Sequence, residues 1–160
     1  FLFDLETLTT YRSLEQMAAL AQVESGLDGM VFGRVDFAGS HGWGRDEINT
    51  DVVTQYCLES AQVAKDSDLE FVVGGAVSID ALPALRQING LYLTRFETRK
   101  VIYSNEALAI PDIENGLLNA VHFELLWLLN KRDYYGFIQS EDKKRIEMLE
   151  SRWRVLNGEG

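Results

Sequence analysis

Cysteine and proline are scarce in this chain of 160 residues, which contains one cysteine, Cys57, and two prolines, Pro83 and Pro111. A single cysteine cannot form an internal disulfide. The sequence also shows neither a signal peptide nor a run of about 20 apolar residues that could cross a membrane. We therefore expect a globular protein of a reducing compartment, most simply the cytoplasm.

Positive charge is also in deficit, since 15 lysine and arginine residues face 25 aspartate and glutamate residues, for a formal net charge of −10. Nucleic-acid backbones and anionic membrane surfaces attract basic proteins. We therefore expect neither nucleic acid nor a membrane surface as the main partner, and the charge says nothing further about a substrate.

Two strand-helix units are predicted in the first part of the chain. Residues 1–5 form a short apolar run, and helical spacing of apolar residues follows until Gly26. Residues 27–35 form a second apolar run, followed by Asp36 and a polar, glycine-rich loop that reaches about Asn49. Each run is typical of a buried parallel strand.

Two more units follow, with predicted strands at 69–73 and 90–96 and a short helix that carries Pro83 in its first turn. Strands that alternate with helices predict parallel pairing and an α/β fold. Four such units amount to half of a TIM-type (β/α) barrel, which needs about 250 residues when complete. A four-stranded open sheet is the alternative.

The pattern changes after Pro111 to two predicted helices. We expect residues 1–108 to form the half barrel with its metal site, and residues 109–160 to form a helical extension on the barrel or on a neighbouring subunit. The second helix is predicted to open at Ser140. The two apolar stripes are Leu117, Leu118, Val121, Leu125 and Leu128, and then Ile146, Leu149, Trp153 and Leu156.

Glu6 and Asp36 follow the first two predicted strands. Reactive groups of parallel barrels lie at the carboxyl ends of the strands. Two neighbouring carboxylates repel each other unless a cation or a proton lies between them, and a hard ion such as Mg²⁺ or Mn²⁺ fits oxygen ligands. Alternatively, Glu6 caps the next helix and Asp36 begins a solvated loop, and spacing does not decide between these readings.

Two features near this pair have open interpretations. His41, in the loop after Asp36, is a candidate proton carrier or substrate contact, although a loop histidine between glycines is more often solvated. Gly74-Gly75 follows the third strand, but no Gly-x-Gly-x-x-Gly pattern surrounds it, so we expect close packing and no dinucleotide or phosphate site.

The run Leu5-Glu6-Thr7, followed at residues 27–37 by Leu-Asp-Gly-Met-Val-Phe-Gly-Arg-Val-Asp-Phe, resembles the HpcH/HpaI aldolase and citrate lyase family. In that family an Ile-Glu-Thr type motif ends one strand, and Val-Asp-Gly-(apolar)₃-Gly-Pro-x-Asp-Leu follows at the next. The family's Glu and Asp bind the catalytic metal. The resemblance therefore implies that Glu6 and Asp36 are metal ligands.

The resemblance further implies a metal-dependent carbon–carbon lyase of the aldolase type. Pyruvate or a related 2-oxo acid would chelate the cation, which stabilises an enolate that adds to or leaves an aldehyde or an acyl-CoA-type partner. Arg34 stands where the family usually has proline, so it is a candidate to bind a substrate carboxylate or to form an ion pair. We take Arg34 and His41 as candidate catalytic residues.

The family's barrel supplies a catalytic arginine and acid/base groups from its first half, to which nothing in this sequence corresponds. We therefore expect this chain to be part of a longer one, or else to be a non-catalytic half barrel for binding or assembly. A half barrel leaves two strand edges unpaired and an apolar inner face open, which predicts a homo-oligomer.

Overall fold

The structure, a computed structural model, describes residues 1–23 and 27–158. The predicted helix stop at Gly26 lies outside the described residues. The strands are β1 (Leu2–Leu5), β2 (Gly29–Gly33), β3 (Glu70–Gly74), β4 (Arg95–Glu97) and β5 (Ile102–Ser104). The α-helices are α1 (Leu8–Arg12), α2 (Leu14–Val23), α3 (Arg34–Ser40), α4 (Asp51–Asp66), α5 (Leu82–Leu91) and α6 (Ile113–Leu156). Short 3-10 helices occupy Arg45–Glu47, Ile79–Ala81 and Asn105–Ala109.

The strands form one sheet in the order β1-β2-β3-β4-β5. β1 to β4 are parallel neighbours, and β5 runs antiparallel to β4. The predicted α/β class with parallel pairing is therefore confirmed. The fifth strand was not predicted; it follows a tight turn in which the Thr98 hydroxyl accepts hydrogen bonds from the backbone N–H groups of Lys100 and Val101.

One face of the sheet carries the core. In register, Leu5, Phe32, Val73 and Phe96 lie side by side across β1 to β4. These side chains belong to one buried cluster that also takes in the apolar stripes of the helices: Leu14, Ala18 and Ala21 of α2, Val53, Cys57, Ala61 and Ala64 of α4, and Leu82, Leu85 and Ile88 of α5. Because a single cluster joins all three helices to the same strand positions, they cover the same face.

The other face of the sheet is mixed, with charged side chains beside Val31 and the buried Val72. Side chains alternate between the two faces along a strand. The face opposite the core therefore carries the row Asp4, Val31, Val72 and Arg95, which are neighbours in register across β1 to β4. Glu97 shares that face with Arg95. The face expected to be apolar therefore carries charged side chains around these two valines.

The predicted second strand is shorter than its apolar run. β2 ends at Gly33, and Arg34 starts α3, so Asp36 lies in the first turn of a helix and not in a loop. A carboxylate in the first helical turn is stabilised by the helix dipole. The predicted fourth strand is also shorter, because Gly90 belongs to α5, and β4 begins only at Arg95.

The C-terminal segment is one helix, α6, and the prediction of two helices is wrong. Ser140 resembles a helix cap in sequence. However, an exposed serine inside a helix costs only about 0.5 kcal/mol relative to alanine. No proline interrupts this segment either. The chain divides into two compact units, residues 1–121 and 122–160. The predicted boundary at residue 109 lies before α6, and Ile113 and Leu117 of α6 are part of the buried core.

Within the described ranges, none of the helices combines the length and apolar character that a membrane crossing requires.

Candidate functional site

Glu6 directly follows β1, and its side chain lies across the end of β2. A Cβ atom added to Gly33 would come within 2.8 Å of both Cγ and Oε1 of Glu6. Glycine at this position therefore leaves the space that the Glu6 carboxyl group occupies. The side chain of Glu6 is half-buried against the carboxyl end of the neighbouring strand.

Asp36 approaches the same place from β2, since α3 begins immediately after Gly33. Its side chain is exposed. Burial raises the pKa of the Glu6 carboxyl group above its ordinary value, and the negative charges of Asp4 and Asp36 raise it further. The structure thus brings Glu6 and Asp36 within electrostatic range at the carboxyl ends of two neighbouring parallel strands.

Two further carboxylates lie on this face and were not identified from the sequence. Asp4 precedes Glu6 by two residues, so both project from the same side of the chain. Glu97 ends β4, and a Cβ atom added to Gly74 would lie 3.3 Å from its Cγ and Oε1 atoms. Burial raises the pKa of Glu97, Arg95 acts to lower it, and Asp4 adds to the rise. The signal available for Asp4 was the alternation of apolar and acidic residues along Phe3-Asp4-Leu5-Glu6.

The cationic side chain of this face is already engaged. Arg95 donates through Nη2 to the Glu70 carboxylate in an ion pair between β4 and β3. The charge of Arg95 is therefore largely balanced by Glu70. Asp4, Glu6 and Glu97 leave the rest of the face negative, which favours a cation over an anion there.

Arg34 is 1% exposed and binds neutral oxygen atoms. Its Nη1 donates to Asn49 Oδ1 at 2.9 Å, its Nη2 to the Gly75 carbonyl at 2.7 Å, and its Nε to the Gly74 carbonyl at 3.4 Å. Burial lowers the pKa of the guanidinium group. These contacts tie the start of α3 to the loop after β3, so they favour a positioning role over the substrate contact considered from the sequence.

His41 follows the last turn of α3, at the opposite end of that helix from Asp36. Its Nδ1 lies 3.1 Å from the Phe37 carbonyl oxygen, and its ring stacks on Trp43 with 4.2 Å between centroids. Phe37 and Tyr56 complete this aromatic cluster. The Nε2 atom is buried, and no partner for it is found in the part of the chain that the structure describes. His41 is thus a packed side chain and not a solvated one.

Glu6 and Asp36 offer two carboxylates, and a divalent cation held there would need further ligands. Among residues 1–23 and 27–158, no three His, Cys, Asp or Glu side chains are arranged to hold a metal ion. Mg²⁺ characteristically retains several waters and is bound through one or two carboxylates together with substrate oxygens. The donor set therefore suits an ion that also binds water and substrate, and does not suit a closed structural site.

Comparison of the chain with protein-family models, curated proteins and solved structures gave no match. The function is therefore inferred from the chain's own residues.

Proposed function

We propose that this chain forms half of a (β/α) barrel in a metal-dependent carbon–carbon lyase of the aldolase type, acting on pyruvate or a related 2-oxo acid. The observation that carries the proposal is that Glu6, directly after β1, and Asp36, in the first helical turn after β2, lie close enough for the charge of Asp36 to raise the pKa of Glu6. The motif resemblance around these two residues assigns them the same task.

The sheet order supports the barrel part of the proposal. β1 to β4 pair in the order in which they occur in the chain, and their helices share one core face. In a doubly wound sheet the strand order reverses and helices bury both faces. Here the uncovered face carries Asp4, Arg95 and Glu97, as expected where a sheet curves around a reaction site and not around a second helical layer.

The chain's own residues prepare the cation site in three ways. Gly33 leaves room for the Glu6 carboxyl group. The short connection from β2 to α3 places Asp36 in a first helical turn with its carboxylate exposed. Arg34 holds α3 against the Gly74 and Gly75 carbonyls, and so maintains the position of Asp36 relative to the sheet.

A bound Mg²⁺ or Mn²⁺ ion supplies Lewis-acid stabilisation of negative charge that develops on the 2-oxo acid. Glu6 binds such an ion only as the carboxylate, so ion binding competes with the proton that the raised pKa retains. Affinity for the cation should therefore increase with pH. The second substrate would be an aldehyde or an acyl-CoA-type thioester, and the reaction would take place in the cytoplasm.

A non-catalytic half barrel that binds a 2-oxo acid is the second candidate. It is favoured by one observation: Arg34 and His41, the two candidate catalytic residues, are engaged with protein groups, namely backbone carbonyls and the ring of Trp43. Acid/base groups for turnover would then have to come from residues other than these.

The cation site is tested by titrating the purified chain with Mn²⁺ and following free Mn²⁺ by electron paramagnetic resonance. Glu6→Gln and Asp36→Asn should each weaken binding by about tenfold or more, at least the loss seen when an outer-shell partner of a metal ligand is removed. Glu97→Gln is the matched control, because Glu97 also ends a strand on this face and has a raised pKa. Equal losses in all three variants would contradict a site built on Glu6 and Asp36.

Turnover is tested by exchange of the pyruvate methyl protons in D₂O, followed by proton NMR with Mg²⁺ present. The lyase proposal expects exchange in a longer chain that carries the complete barrel, and none in the Glu6→Gln variant of that chain. Cation binding without exchange would support the binding module instead. Absence of cation binding in the native chain would contradict the lyase proposal.

A further inference from the structure

Within the second compact unit, α6 carries a seam of regularly spaced residues that is apolar at its two ends and polar in its middle. Its apolar side chains are about half exposed, among them Leu125, Leu128, Ile146 and Leu149. Positions alternate by three and four residues, as in the contact stripe of a coiled coil. The positions of this seam are Leu125, Leu128, Arg132, Tyr135, Gln139, Asp142, Ile146 and Leu149.

We propose that this seam pairs with the same seam of a second copy of the chain, with the two helices antiparallel. One register satisfies every position. When Arg132 lies opposite Asp142 of the second copy, Tyr135 lies opposite Gln139. The same register sets Leu125 opposite Leu149, and Leu128 opposite Ile146. Apolar residues meet apolar residues in all four outer layers, and polar residues meet polar residues in the central ones.

The layers that contain Arg132 and Asp142 determine both the partner and the relative direction of the two helices. In a parallel pair, Arg132 would face Arg132 and Asp142 would face Asp142, and like charges placed against each other in an interface are strongly unfavourable. The antiparallel pair turns both of these layers into Arg–Asp contacts. A second copy of this chain therefore offers the complementary charge pattern in one direction only.

The ion pair of Arg132 in the free helix does not oppose this pairing. Arg132 is paired with its sequence neighbour Asp133, with 2.8 Å between Nη2 and Oδ1, and both side chains are exposed. Such exposed pairs contribute at most about 1 kcal/mol. The guanidinium group can therefore exchange Asp133 for Asp142 of the second copy.

Charges beside the seam are balanced in this register. Glu124 lies near Arg152 of the second copy, an attractive contact, whereas Lys131 lies near Arg145, a repulsive one. The attractive and the repulsive contact largely offset each other, so the residues of the seam itself determine the relative direction of the two helices. The inference does not depend on the proposed lyase activity, because Glu6, Asp36 and their acidic neighbours Asp4 and Glu97 take no part in the seam.

Direction is tested by disulfide formation in the full chain. Leu128→Cys and Ile146→Cys are prepared separately, and the buried native Cys57 stays in both. On oxidation, a mixture of the two variants should form a covalent dimer that contains one chain of each, while neither variant alone should do so. Efficient crosslinking of Leu128→Cys with itself would overturn the antiparallel arrangement.

The charged layers are tested by charge reversal, with dimerisation followed by sedimentation equilibrium of the full chain and helix content by circular dichroism. Arg132→Asp and Asp142→Arg should each raise the dissociation constant by about tenfold or more, because each puts like charges together. The double variant Arg132→Asp/Asp142→Arg should restore it. A native chain that is monomeric at every concentration, or a double variant no tighter than the single ones, would overturn the proposal.

Discussion

Arg34 is a charged side chain placed in the interior, where its planar guanidinium group reaches Asn49, Gly74 and Gly75 at once. Lysine cannot reproduce this fork of donors. We expect Arg34→Lys to lower the free energy of unfolding by about 2–4 kcal/mol, because buried acceptors lose their donors and the new ammonium group is buried. Urea denaturation measures the loss.

Arg86, exposed on α5, provides the matched control. Arg86→Lys should change the free energy of unfolding by less than about 0.5 kcal/mol. If Arg34→Lys proves as mild as Arg86→Lys, the three contacts of Arg34 do not hold the loop after β3.

Glu6 links the site to the pH dependence of stability. Its folded-state pKa is raised by burial and by Asp4 and Asp36, so the folded chain holds its proton more tightly than the unfolded chain does. Stability therefore falls as pH rises from the unfolded pKa through the raised folded value, and the cost persists at neutral pH. We expect Glu6→Gln to stabilise the chain by about 0.5 kcal/mol at neutral pH, a size typical of a partly screened charge.

The measurement is thermal or urea unfolding of native chain and variant across pH. The advantage of Glu6→Gln should vanish below the unfolded pKa of glutamate, where both states carry the proton. An advantage that is independent of pH would contradict an electrostatic origin and indicate a change in packing instead.

The loop after β3 depends on a glycine with a left-handed backbone. Gly75 has φ of +82°, and an added Cβ atom would lie 2.7 Å from the Val35 nitrogen and 2.9 Å from the Arg34 nitrogen. Both contacts are with backbone atoms, which cannot move aside easily. We expect Gly75→Ala to cost about 2 kcal/mol or more, because strain of about 1–3 kcal/mol adds to the clash.

Gly39 in α3 is the contrasting position, since nothing lies within 4 Å of an added Cβ atom. Gly39→Ala should stabilise the chain by up to about 1 kcal/mol through helix propensity. Urea denaturation of both variants measures these changes in the free energy of unfolding. A stabilising or neutral Gly75→Ala would show that the loop can adopt another path.

Secondary-structure elements with a clear period were predicted well from the sequence. The apolar stripe of α4 and the apolar runs of β1 and β3 identify their elements, because each pattern depends on residues within a few positions of one another. α3 was read as a loop, since its short apolar set, Val35, Phe37 and Ala38, lies between glycines. β5 was missed because three residues of strand are too few to show alternation.

At the scale of the whole molecule, the first unit has a core of its own. The large buried side chains from Leu5 to Leu117 lie within residues 1–121. We expect a chain that ends at Val121 to fold, with cooperative unfolding, and to be monomeric by light scattering. The full chain should dimerise under the same conditions through the seam on α6.

Self-association of the shortened chain would give the opposite result. It would show that the sheet, for example through the unpaired side of β1, drives assembly, as an exposed strand edge does. The charged side chains of the open face, with Asp4, Arg95 and Glu97 among them, argue against association through that face.

The sequence by itself determined the α/β class, the parallel pairing of four strands and the location of Glu6 directly after β1, because these follow from local periodicity. Only the tertiary structure decided that Glu97 joins Asp4 and Glu6 on one face, that buried Arg34 binds the Gly75 carbonyl, and that His41 packs against Tyr56. These contacts join residues far apart in the chain, and their geometry depends on strand register and crossover path, which no local pattern encodes.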